Sequence, residues 1–298
     1  MKRTLHRAAA AIFSLYLLAF PVFAAESLIP VGQVVGLELR SGTVTVAAFD
    51  DAVTVARDSG LQVGDVITSI DEIRVRSAED VRNALNRSDG SVLLTVRRGE
   101  EQLQLRLEPA ISREGPKLGI YLRQGITGLG TVTFCDPQTG QFGTLGHGVS
   151  DSGGLLPMTE GKVYPAQVIR IQKGQSGAPG QLRGSLDGSQ ILGVLEKNTH
   201  RGVFGTVRPA WDGESIPVAA AQEVRIGSAA IRSTIDGSGP RDYSVEIVKI
   251  YPKTRADGRN LLLRVTDPEL LAATGGIVQG MGVSYNRDNT GTLKACKG

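Results

Sequence analysis

Cysteine is nearly absent from this 298-residue sequence, occurring only at Cys135 and Cys296. Two thiols allow at most one disulfide, which excludes a disulfide-stapled scaffold. No Cys-x-x-Cys pair exists, and histidine is as scarce, at His6, His147 and His200. That scarcity argues against a metal centre built from these ligands, and no cofactor is expected. Aromatic residues amount to 5% of the chain, with a single tryptophan. An excess of one charge is lacking too: 33 basic residues against 30 acidic ones leave a net +3. A nucleic-acid binder would carry a clustered basic face, and none is found. Arg97 and Arg98 read instead as a solvated strand edge.

Glycine is what the chain has in plenty, 38 residues or about 13%, against a typical ~7%. It follows no repeat period. Many short strands joined by glycine turns would give this profile, so the expectation is a mainly β protein. The length suits about two domains of roughly 150 residues each.

The first 25 residues have their own character. Lys2, Arg3 and Arg7 precede an apolar stretch from Ala8 to Phe20, Pro21 ends it, and Ala24-Ala25 supplies small residues for a signal peptidase. This is the layout of an export signal, with the mature chain beginning near Glu26. An uncleaved membrane anchor is the rival reading. The stretch falls short of the roughly 20 residues a span requires, which favours export. No later segment is apolar enough to cross a membrane.

Residues 28–110 read as a first domain. Val44–Phe49 has strand length, and Asp50-Asp51 can cap a short helix over Ala52–Arg57. Gly60 closes that helix, Gly64-Asp65 makes a tight turn, and Val66, Ile67 and Ile70 begin a strand. Ser77, with Asp80 three residues on, caps a second helix whose buried stripe is Val81, Ala84 and Leu85. Ser91–Arg97 and Gln102–Leu107 alternate around Gly99 as a hairpin does. This order, centred on Gly60-Leu-Gln-Val-Gly-Asp-Val-Ile67, resembles a PDZ domain. A domain of that kind adds a peptide as a strand to a sheet edge and holds its carboxylate with loop amides. The resemblance assigns that loop to Val35, Gly36 and Leu37, with Glu38 where a second glycine is usual.

Residues 115–281 read as a second domain. Gly130–Cys135 and Gln141–Leu145 form a hairpin about the turn Asp136-Pro-Gln-Thr-Gly140. Gly146-His147-Gly148 follows at its end, where glycine neighbours leave the imidazole exposed. Asp151 lies near but reads as a turn former, and His200 has the polar neighbours of a turn. Strands are expected over Ile191–Leu195, Gly202–Val207, Ser244–Ile250 and Asn260–Val265. Asp267 precedes Pro268 as a helix N-cap should.

The run Asp267-Pro-Glu-Leu-Leu-Ala-Ala-Thr-Gly-Gly-Ile-Val-Gln-Gly-Met281 resembles the signature of sporulation stage IV protein B peptidases. Gly143-Thr-Leu-Gly-His-Gly148, Glu196-Lys-Asn-Thr199, Gly202-Val-Phe-Gly205 and Val224-Arg-Ile-Gly227 match the same family, as does the order of PDZ domain before protease. The resemblance spans roughly residues 28–281. It implies a chymotrypsin-like β-barrel serine peptidase in which His147 is the general base and Asp267 its acidic partner. The two should then lie within about 2.6–3.2 Å. The implied substrates are proteins, including the chain itself and a regulator of a membrane protease. The implied location lies outside the cytoplasmic membrane, in the intermembrane space of a forespore.

One departure matters. In the family Met281 would be followed by Ser-Gly-Ser-Pro, whose first serine is the nucleophile. Here Gly282-Val283-Ser284-Tyr285 follows, and residues 282–298 resemble nothing in the family. A frameshift or truncation would explain this, leaving the peptidase domain incomplete at its C-terminus and inactive. Ser284 and Ser176 are the substitutes. Ser176, in Gly174-Gln-Ser-Gly-Ala-Pro179, mimics a trypsin-like nucleophile motif but follows His147 too closely, and it reads as a turn. The competing function is a non-catalytic PDZ adaptor or scaffold. A protease of another family under PDZ control fits less well, because such enzymes usually place the PDZ domain last.

Overall fold

A computed structural model describes residues 27–151, 154–175, 178, 180–251, 260–278, 281, 283–287 and 293–296, the last two stretches by backbone course alone. The export or anchor segment and Ser176 lie outside the described residues. The architecture is mainly β, as expected.

The chain begins with β1 (Ser27–Pro30) and β2 (Val34–Phe49), then α1 (Val55–Asp58), β3 (Val66–Ile70), β4 (Ile73–Arg74) and α2 (Ala78–Arg87). Next come β5 (Val92–Arg98), β6 (Glu101–Leu107), β7 (Ala110–Ser112), β8 (Gly115–Lys117) and β9 (Ile120–Cys135). The middle holds β10 (Gln141–Thr144), β11 (Ser150–Asp151), β12 (Gly154–Leu155), β13 (Glu160–Gln172), β14 (Gln181–Leu186), β15 (Gly193–Thr199) and β16 (Gly202–Val207). Last are β17 (Ile216–Ala219), β18 (Gly227–Ser233), β19 (Arg241–Ile250), β20 (Leu261–Val265), α3 (Pro268–Thr274), β21 (Val283–Arg287) and β22 (Leu293–Cys296).

Local signals behave as the sequence suggests. Ser77 caps α2 by accepting a hydrogen bond from the Asp80 N–H at 3.0 Å, and Val81, Ala84 and Leu85 are its buried face. The first helix is shorter than expected and starts later: Thr54, not Asp50 or Asp51, stands at its N-cap. Arg98 is no solvated edge. Its guanidinium binds both carboxylate oxygens of Asp65 at 2.8 Å, and Asp65 is only 1% exposed. Burial acts to raise the Asp65 pKa. The Arg98 hydrogen bonds, the Gln62 N–H and the Arg98 charge outweigh it, and the net shift is downward.

The two halves of the molecule share strands. β2 and β9 run antiparallel from Val34↔Thr131 to Phe49↔Ile120. Their outer ends, with Ile67, Leu85, Leu94 and Leu118, close one apolar core. Their inner ends close another. There β2, β9, β10, β16, β15 and β13 pair in a ring that returns to β2. Val35, Leu37, Leu39, Val132, Phe142, Val163 and Val203 fill this small barrel, as the inward positions of a closed sheet must. Phe142 meets Trp211 edge-on, with ring centroids 5.3 Å apart. Cys135 is a free thiol buried in the same core, and burial raises its pKa.

The expected first domain, residues 28–110, is therefore redrawn. Ile29, Val31, Val35, Leu37 and Leu39 belong to the barrel core, while Leu118, Ile120 and Leu122 pack with the first one. The assignment of Val35, Gly36 and Leu37 as a carboxylate-binding loop is corrected with it. These residues sit near the start of β2, flanked by β9 and β13. Val35 pairs with Gly130 on one side and Pro165 on the other, and Leu37 with Gly128 and Val163. Their backbone groups are committed to the sheet, and the side chains of Val35 and Leu37 are buried.

A second, open sheet follows in the order β20-β19-β18-β21-β22-β17. Ile231, Val245 and Leu270 centre its core. Leu182 of β14, Val34 and Val278 form a small cluster between this sheet and the barrel.

Candidate active site

His147 owes its position to an unusual backbone. Leu145, the residue after β10, has φ +62°, a left-handed conformation that a branched side chain adopts only when its surroundings impose it. The chain turns outward there, and the His147 ring is exposed. Gly148 then passes close to β15: a Cβ at Gly148 would fall 2.5 Å from the Thr199 carbonyl and 2.3 Å from Leu155.

The loop is clamped from β15. Asn198 Oδ1 accepts the Val149 N–H at 2.9 Å, and its Nδ2 donates to the carbonyls of Val149 at 2.8 Å and Leu156 at 2.9 Å. This role went unread in the sequence, although Asn198 sits in the Glu196–Thr199 motif. Its partners lie some fifty residues back along the chain, and no local pattern announces them.

His147 lines a groove of about 770 Å³ with Leu129, Leu145, Ser150, Gln181 and Arg183 among its walls. The Nδ1 of the ring lies 3.0 Å from the Gly148 carbonyl. A carbonyl only accepts, so this contact places the proton on Nδ1 and leaves the Nε2 lone pair free for a proton transfer.

Asp267 stands at the N-cap of α3. Its Oδ1 accepts the Leu270 N–H at 2.9 Å, and its Oδ2 accepts the Ser244 N–H at 3.4 Å. Both oxygens serve the backbone of α3 and β19, and the only hydrogen bond found for the His147 ring among the described residues is the one to Gly148. The capping role available to an aspartate before a proline claims the side chain. Asp151 is in an ion pair with Arg123 at 2.8 Å.

Of the two candidate serines, Ser284 lies in β21, paired with Ile231 of β18. The described flanks of the Ser176 turn rest on the end of α3. Gly174 donates to the Thr274 carbonyl at 2.9 Å, and a Cβ on Gly180 would fall 2.5 Å from Val278. Met281 caps the same corner, its N–H bonded to the Val278 carbonyl at 3.2 Å. Among the described residues no three His, Cys, Asp or Glu side chains gather as a metal site.

The model of the SpoIVB peptidase S55 family matches residues 114–288, more than half of the chain. This chain belongs to the SpoIVB peptidase S55 family. A PDZ-domain model matches residues 52–98, within the first core. No curated protein matches the chain. The S55 match covers His147 and Asp267, and the two matches together are those of a SpoIVB-type serine peptidase carrying a PDZ domain. Protein or peptide substrates suit both parts.

In this S55 chain the PDZ half offers a strand edge that the sequence reading overlooked. Residues 120–124 of β9 pair with β2 on one side, and among the described residues no strand pairs with the other. Ile120 and Leu122 pack into the core that also holds Val81, Ala84 and Leu85 of α2. Leu118-Gly119-Ile120 leads into that edge. Gly119 has φ +73°, and a Cβ there would lie 1.9 Å from the Val53 carbonyl. A glycine between apolar residues, ahead of an alternating run, was the available signal.

Proposed function

We propose that this member of the S55 family binds polypeptides in the His147 groove and at the β9 edge, but does not hydrolyse them. The observation that carries the reading is Gly282 at the position where the family motif has its nucleophilic serine. A hydroxyl is needed there for covalent attack, and the histidine alone supplies only a base. Ser284 is two residues further on, in a strand, and a chain advances about 3.3 Å per residue.

The chain acts, on this reading, as a peptide-binding scaffold of the sporulation-signalling type. Its partners are polypeptides such as a regulator of a membrane protease, or a second copy of itself. The charged, apolar and small-residue layout of residues 1–25 supports export, with the folded part outside the cytoplasmic membrane. No helix among the described residues is long and apolar enough to span a membrane.

One observation favours a second reading, in which Ser176 is the nucleophile. Gly174, two residues before Ser176, donates to the carbonyl of Thr274 at the end of α3. Casein hydrolysis by the purified chain separates the two. The first reading expects none above a His147→Ala control; turnover that Ser176→Ala abolishes would establish the second.

A further inference from the structure

Next to the His147 groove is a second recess, of about 530 Å³. Arg170, Lys173 and Arg183 line it, and none of its described lining residues is a carboxylate. Arg170 and Arg183 are direct cross-strand partners in the β13–β14 pair. Like charges set opposite each other on neighbouring strands weaken the pairing, and among the described residues no carboxylate bonds to either side chain. Arg183 donates to Gln172 Oε1 at 3.3 Å, a neutral partner. Among the described residues the side chains of Arg170 and Lys173 make neither a hydrogen bond nor an ion pair. All three side chains are exposed. Arg183 also forms part of the wall of the His147 groove, so a chain lying in the groove passes within its reach.

We propose that Arg170 and Arg183, assisted by Lys173, form a subsite that receives a carboxylate of the polypeptide in the His147 groove and so selects acidic ligands. The inference rests on the peptide-binding reading of that groove. A planar guanidinium matches a carboxylate with two parallel hydrogen bonds. Two of them across one strand pair, without an internal anion, make a receptor for charge arriving from outside. The carboxylate can come from an Asp or Glu side chain or from a chain terminus.

The test is fluorescence anisotropy on the full chain with three rhodamine-labelled decapeptides. One is alternating Ala-Glu ending in an amide, one is alternating Ala-Gln ending in an amide, and one is the Ala-Gln peptide with a free carboxylate. The glutamate peptide should bind about tenfold more tightly than the glutamine amide. Arg170→Gln and Arg183→Gln should each cut that preference severalfold, and the double variant should abolish it. If the free-carboxylate peptide matches the glutamate peptide, the subsite takes a chain terminus; if it behaves like the amide, the subsite takes a side chain. Gly128→Trp fills the groove, since nothing lies within 4 Å of a Cβ at Gly128, and it should weaken every peptide. Equal binding of the two amides, lost in Gly128→Trp, would overturn the subsite while the groove stands. Binding that survives Gly128→Trp, or no binding of any peptide, would remove groove and subsite together.

Discussion

Asn198 holds Val149 by both of its backbone groups, accepting from the N–H at 2.9 Å and donating to the carbonyl at 2.8 Å. One side chain on β15 thereby fixes the loop that carries His147, and a third bond to Leu156 anchors the far side of the same loop.

Asn198→Ala should therefore leave three backbone groups without these partners. A cost of about 1–3 kcal/mol in stability is expected, together with faster amide exchange at Val149. Urea melts and hydrogen exchange check both. Unchanged protection at Val149 would show that the loop does not depend on the clamp.

Arg98→Ala should be among the more damaging surface changes, because it strands the Asp65 carboxylate in a nearly closed site. A clear loss of stability is expected, smaller than that for a fully buried pair, since Arg98 keeps partial solvent access. The pH dependence follows from the lowered Asp65 pKa. The pair's contribution is present above the ordinary carboxylate range and is lost as pH falls through about 4 and below. Melts of the parent chain and Arg98→Ala should converge as the solution is acidified. A constant gap between them down to the acid limit would contradict the assignment.

Gly36→Ala tests the corrected place of residues 35–37. A Cβ at Gly36 would lie 2.6 Å from Leu186 Cβ, so crowding should cost about 1–3 kcal/mol. Normal stability with weakened peptide binding would instead restore the loop reading.

N-terminal sequencing of the exported protein should give a chain beginning near Glu26. Retention of Met1 or Lys2 in that material would favour an anchor.

What was legible in the sequence was mostly local. The Ser77 cap, the Val81-Ala84-Leu85 stripe and the Asp267 cap are decided within one helical turn, and all three form. The exposed setting of His147 followed from its two glycines. Pairings between distant segments were hidden. Val35–Leu37 is an apolar run that fits a loop or a strand equally well, until Gly128–Gly130 and Val163–Pro165 arrive on either side. Arg98 and Asp65 are joined only once β5 lies next to β3. The sharing of β2 and β9 between two cores blurs any boundary drawn from composition.

Labelling with a fluorophosphonate probe tests the central claim most directly, since the probe reports an activated serine without requiring a known substrate. The native chain should show no labelling above the level of heat-denatured protein. Strong labelling that disappears in Ser284→Ala would contradict it.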